Sequence, residues 1–147
     1  MFHILSPKHS FLRPGAKRPE VIDLAVRLSW ISLLLGTIYL ISVAPSILAK
    51  ENGTAELIAA VGASVVIVLA IVGISNGRNW ARILSVLLFV LGLRGAASRL
   101  NEIVQGPTVL LVLEIIPYLI DSYVLFLIYS KPGALWFRFT NDNKNNL

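Results

Sequence analysis

The stretch Thr108 to Tyr129, TVLLVLEIIPYLIDSYVLFLIY, constrains this chain more than any other, because it has the length of a membrane span and yet carries two carboxylates. At about 1.5 Å per residue a helix of this length covers roughly 33 Å, close to a hydrocarbon core of about 30 Å. Glu114 and Asp121 are therefore expected at membrane depth. They stand seven residues apart with Tyr118 between them, so one helical face forms a polar stripe in an apolar segment. A charge at the centre of a span costs about 2.5 to 3.5 kcal/mol on the gentlest scale, and such residues normally face other helices, where they have partners. The remaining sequence is expected to surround that face.

Composition points the same way. Of 147 residues, 56% are hydrophobic and only 14% charged, the profile of a polytopic membrane protein. Little chain is left over for an extramembrane domain, so any chemistry would sit among the helices or on short loops. The absence of cysteine excludes thiolate metal ligation, disulfide staples and a four-helix disulfide oxidoreductase. Both histidines, His3 and His9, lie near the N-terminus, which excludes bis-histidine haem inside a bundle. No metal and no cofactor is expected.

Apolar runs predict four spans, at about 28–49, 55–75, 80–100 and 108–129, and hence an all-α antiparallel four-helix transmembrane bundle. Residues 1–18 read as a basic tail, 19–130 as the transmembrane domain and 131–147 as a second tail. The first tail lacks the apolar region and cleavage site of a signal peptide. Pro19, Glu20 and Asp23 suit a helix start, and Asp23 with Arg27 forms an i,i+4 pair. Ser32 and Gly36 form a small-residue notch. Asn52-Gly53-Thr54 matches a glycosylation sequon, but Thr54 is better read as the N-cap of the second helix. Ala59, Ala60, Gly62, Ala63 and Ser64 are expected to let backbones approach closely and make that helix the most enclosed. Asn79 is expected to cap the third helix, Gly106-Pro107 to turn the chain, and Lys131-Pro132-Gly133 to stop the fourth helix. Trp136, Phe137, Arg138 and Phe139 form an aromatic-basic cluster suited to the interface, and the Asn-rich end reads as disordered.

Lysine and arginine number five before the first span, two between the second and third, and three after the fourth, against one in each of the other loops. Ten against two places both termini in the cytoplasm. Trp30, Trp80 and Trp136 fall on that same side, as do Arg27, Arg78, Arg82 and Arg138, all as interfacial anchors. Topology thus accounts for the net charge of +5, and no nucleic acid is expected. The partners expected are the lipid bilayer and either a second copy or another membrane protein.

Arg94 lies 12 residues past Arg82 and Glu114 seven past Pro107, so both sit about 10 to 12 Å below the outer surface on antiparallel neighbours. An Arg94–Glu114 ion pair is expected. Asp121 lies deeper, with Ser29, Ser32, Arg27 or Tyr118 as its partner. Pro117 removes a backbone hydrogen bond between the two acids, and a kink there would admit water or a ligand. Arg94, Glu114, Tyr118 and Asp121 make up the candidate intramembrane site. One reading is a proton or cation site. The other, which weighs more because Arg94 would nearly neutralise Glu114, is an ion pair plus a capped Asp that fix helix register. No nucleophile-base pair, phosphate loop or ligand cluster is visible, so no enzymatic activity is expected.

The loop Gly77-Arg78-Asn79-Trp80-Ala81-Arg82-Ile83, with RPEVIDLAVRLSW at 18–30 and PGALWFR at 132–138, resembles small four-helix bacterial inner-membrane proteins of unknown function. The resemblance covers most of the chain and implies a bacterial inner-membrane location, multi-pass, and no activity. Small multidrug transporters are comparable in size but carry their essential acid in the first helix, where this chain has none between Leu28 and Ala49. Immunity proteins against pore-forming toxins share the size and topology without a shared motif. Three function classes follow. The preferred one is a non-enzymatic structural, regulatory or accessory membrane subunit. The alternatives are a proton-coupled small-molecule transporter or ion pathway using Glu114 and Asp121, and an immunity-type protein against a membrane toxin.

Overall fold

The computed structural model describes residues 18–98, 105 and 107–145. Nearly all of the basic tail, the end of the third span with Arg99, and Gly106 of the expected turn lie outside the described residues. Among those described, the chain folds into α1 (Glu20–Leu48), α2 (Gly53–Ser75), α3 (Asn79–Ser98), α4 (Thr108–Tyr129) and α5 (Lys131–Asn145). The first four are long and apolar enough to cross a membrane. α1 packs most extensively on α4 and then on α2, α2 on α3, and α3 on α4.

The turn between α2 and α3 is built by Gly77, the one residue with positive φ among those described, at 65°. Its N–H donates to Ile74 O at 3.0 Å and that of Arg78 to Gly73 O at 2.9 Å. This paired closure ties off the carbonyls of the last helical turn and needs a left-handed residue, which glycine adopts without steric cost. The hairpin it creates is tight. A Cβ added at Gly73 would stand 2.6 Å from Ala81 Cβ and 3.1 Å from the Trp80 ring, so only glycine permits that approach.

α2 shares with α4 the largest buried share of the four long helices, but close approach does not extend along it, and the expected cause, the small residues of its first half, is corrected. The buried residues of α2 are Gly53 at its start and Ala70, Ile71, Gly73 and Ile74 near its end. Gly62 and Ala63 are exposed, and a Cβ at Gly62 would meet nothing within 4 Å. Small residues draw helices together only where the facing surface is also small and close. Ala81 provides that opposite Gly73, and nothing provides it opposite Gly62. The notch expected at Gly36 is likewise open, with no atom within 4 Å of its would-be Cβ.

Two helix starts also differ from expectation. α2 begins at Gly53 behind Asn52, with no side-chain cap, so Thr54 lies inside the helix. Asn79 is the first residue of α3, and its Oδ1 accepts from Arg82 at 3.5 Å. At the other extreme, Lys131-Pro132-Gly133 does not end the helical structure. Ser130 alone is extended, with φ −61° and ψ 159°, and α5 starts at the next residue, because proline and glycine are tolerated in a first turn where the N–H groups have no intrahelical partner. The Asn-rich segment is helical through Asn145 rather than disordered.

All five helices meet in one apolar cluster: Ile22 and Ala25, Ile74, Ala81, Val124, Leu127, Ile128 and Phe137. Each lies near the end of the bundle that carries α5. Phe137 is 0% exposed, and α5 packs on α1 and α3 as well as on α4. The opposite end holds no such cluster among the described residues.

Candidate functional site

Above that cluster the helices enclose a cavity of about 670 Å³. Its wall takes Ser29 and Ser32 from α1, Ser64 from α2, Ser85 and Phe89 from α3, and Glu114, Tyr118 and Asp121 from α4. The polar stripe predicted on the fourth span thus faces the cavity. The room exists because α1 and α2 line it with Gly36, Ala59, Ala60 and Ala63, side chains too small to fill the space between them. Of the residues read as promoting close packing, Ala59, Ala60, Ala63 and Ser64 line the cavity instead.

Glu114 is buried, 7% exposed, and Asp121 partly so. Of the partners considered for Asp121, Ser32 has its side chain within hydrogen-bonding reach. The same hydroxyl lies 3.5 Å from Pro117 O. Ser29 instead donates to Ala25 O at 2.9 Å, Arg27 is occupied by Asp23 at 2.7 Å, and Tyr118 reaches across to α3, donating to Gly92 O at 3.0 Å. A Cβ at Gly92 would sit 3.3 Å from the Tyr118 ring, which also meets Phe89 edge-on with centroids 6.5 Å apart. These contacts fix how α3 faces α4.

That facing decides the fate of Arg94. Helical residues advance by about 100° each, so Arg94 stands roughly 200° around α3 from Gly92. Its side chain is exposed. Arg18–Asp23 at 3.7 Å and Arg27–Asp23 at 2.7 Å are ion pairs of the described residues, and Arg94 joins neither. The expected Arg94–Glu114 pair is corrected on this ground: Arg94 is exposed and stands on the side of α3 turned away from Gly92, the residue that meets Tyr118 of α4.

The interfacial anchors divide in a similar way. Trp30 and Trp80 are each 45% exposed, Arg78 and Arg138 are exposed, and Trp136 is half-buried. Arg82 has a further role, its guanidinium lying 4.3 Å from the Tyr129 ring centroid and 5.0 Å from that of Phe137. Contacts of this kind between cation and ring are attractive, so Arg82 ties α3 to α4 and α5 at once. Sequence reasoning missed Ser64, Ser85, Phe89 and Gly92 as parts of the site. The only signal they gave was that serines and a glycine interrupt apolar runs, which does not tell a lining position from a lipid-facing one.

Chemically the wall offers two carboxylates on a helix long and apolar enough to cross a membrane, hydroxyl groups and aromatic rings. Among the described residues no three His, Asp or Glu gather as they would around a metal ion. No protein-family model, no curated protein and no solved structure matches the chain.

Proposed function

We propose that this is a non-enzymatic, multi-pass protein of the bacterial inner membrane, both termini cytoplasmic, that moves a small solute in exchange with protons through the cavity holding Glu114 and Asp121. One observation carries this reading: polar side chains from four helices converge on one cavity, while Arg94 points away from it. A carboxylate in a low-dielectric bundle is suited to taking up and releasing a proton. The ten-to-two distribution of Lys and Arg supports the orientation.

Reconstitution into liposomes with an imposed pH gradient tests the reading. Proteoliposomes should dissipate the gradient faster when a transported solute is added, and Asp121→Asn should abolish the difference. If wild-type and empty liposomes behave alike across a solute panel, the transport reading falls and the accessory-subunit reading replaces it. That second reading has its own support, since an exposed guanidinium at membrane depth, Arg94, is suited to a neighbouring membrane protein.

A further inference from the structure

We infer that the crevice where α3 meets the junction of α4 and α5 binds the headgroup phosphate of an anionic phospholipid, with Arg82 as the central contact and Lys131 and Arg138 at its border. The site is separate from the cavity, whose wall does not include Arg82, and it stands whether or not the cavity carries a solute.

The first ground is how Arg82 is held and how little of its hydrogen-bonding capacity is used. Its guanidinium lies 4.3 Å from the Tyr129 ring centroid and 5.0 Å from that of Phe137, so rings from either side of Ser130 fix its position. A guanidinium carries five N–H donors in a rigid fork that matches phosphate. Among the described residues, Nη1 reaches Asn79 Oδ1 only at 3.5 Å, beyond the usual range of a hydrogen bond. Nε is buried without an acceptor, and the ion pairs of Arg18 and Arg27 with Asp23 do not involve Arg82. The side chain is half-buried, so water and salt screen it less than a surface charge. The rings have already ordered this long side chain, and an incoming phosphate meets a preorganised fork.

The second ground is charge. Lys131 and Arg138 are exposed on α5, and Arg78 is exposed just before α3. Lys131 follows Tyr129 by two residues and Arg138 follows Phe137 directly, so both border the rings that hold Arg82. The described carboxylate side chains at this end are Glu20 and Asp23, and Asp23 is engaged by Arg18 and Arg27. That excess of positive charge favours a headgroup of net negative charge over a zwitterionic one.

The third ground is the neighbouring surface, which favours a lipid over a soluble phosphate. Phe126 stands three residues before Tyr129 and so on the same side of α4, and it stacks on Tyr123 with centroids 6.3 Å apart. Phe126 is 67% exposed and Tyr123 50%, on a helix long and apolar enough to cross a membrane. This aromatic strip leads from the basic crevice toward the middle of the span, a surface for an acyl chain whose phosphate is held at Arg82.

The test uses the full chain, delipidated in a mild detergent, with the melting temperature followed as dioleoyl phosphatidylglycerol, dioleoyl phosphatidylcholine, glycerol phosphate or inorganic phosphate is added. Phosphatidylglycerol alone is expected to raise it saturably. Arg82→Gln should weaken the apparent affinity for that lipid at least about tenfold, as loss of a charged hydrogen-bonding partner does. Arg94→Gln, which removes an exposed guanidinium elsewhere on α3, should leave the affinity unchanged. Should Arg82→Gln fail to fold, Lys131→Gln combined with Arg138→Gln decides, because both side chains are exposed, and it should weaken the affinity severalfold. An equal shift with phosphatidylcholine or with either soluble phosphate, or no saturable shift with any of the four, would overturn the inference. So would an affinity untouched by Arg82→Gln, or by the double variant where that one does not fold, or lowered as much by Arg94→Gln.

Discussion

Two positions on α3 separate the carbonyl that holds Tyr118 from the side chain of Arg94, and that interval determines what each does. Arg94→Leu should leave the melting temperature in detergent unchanged or raise it, because no pair is broken. Breaking a buried pair would instead cost about 3 to 5 kcal/mol. Tyr118→Phe removes one hydrogen bond to Gly92 O and should cost about 1 kcal/mol, read as a small shift in the same melting curve. The shared face was legible in the sequence, since the spacing of Glu114, Tyr118 and Asp121 along a helix puts them together on one side of α4, and all three line the cavity. Rotation was not legible. The phase of a helix about its own axis is set by contacts such as Gly92 against Tyr118, and nothing in the run Leu91 to Ser98 announces which side α4 occupies.

At the level of elements, the apolar runs were sufficient for four helices, because a spanning segment must satisfy its backbone internally. The fifth was hidden behind Lys-Pro-Gly, a pattern that reads as a stop when one extended residue, Ser130, is all the interruption there is. Its attachment can be measured. Phe137→Ala removes a ring that is 0% exposed and lies over Arg82, and should cost about 3 kcal/mol, with protease cleavage appearing after Lys131. Within α2 the contrast is between its two glycines. Gly73→Leu must displace Ala81 and Trp80 and should lower thermal stability sharply, while Gly62→Leu points into open space and should be nearly silent. Equal effects would mean that a second protein surface covers Gly62.

For the whole molecule, orientation can be checked by single cysteines placed in a chain that has none of its own. Asn52→Cys should react with an impermeant reagent added outside the cell membrane, and Asn143→Cys only after lysis. The packing adds something to this picture that topology alone does not. All five helices contribute to one apolar cluster at one end, through Ile22, Ile74, Ala81, Ile128 and Phe137, and no second such cluster ties the other end among the described residues. Such a frame behaves like a set of cantilevers sharing one clamp, so thermal displacement grows with distance from the clamp and the cavity volume is what fluctuates most. Amide exchange should accordingly be slowest in the last turns of α4 and rise steadily toward the α1–α2 turn. A molecule that entered beside the α1–α2 turn would meet the clamp as a floor, and passage to the other side would require those five side chains to part.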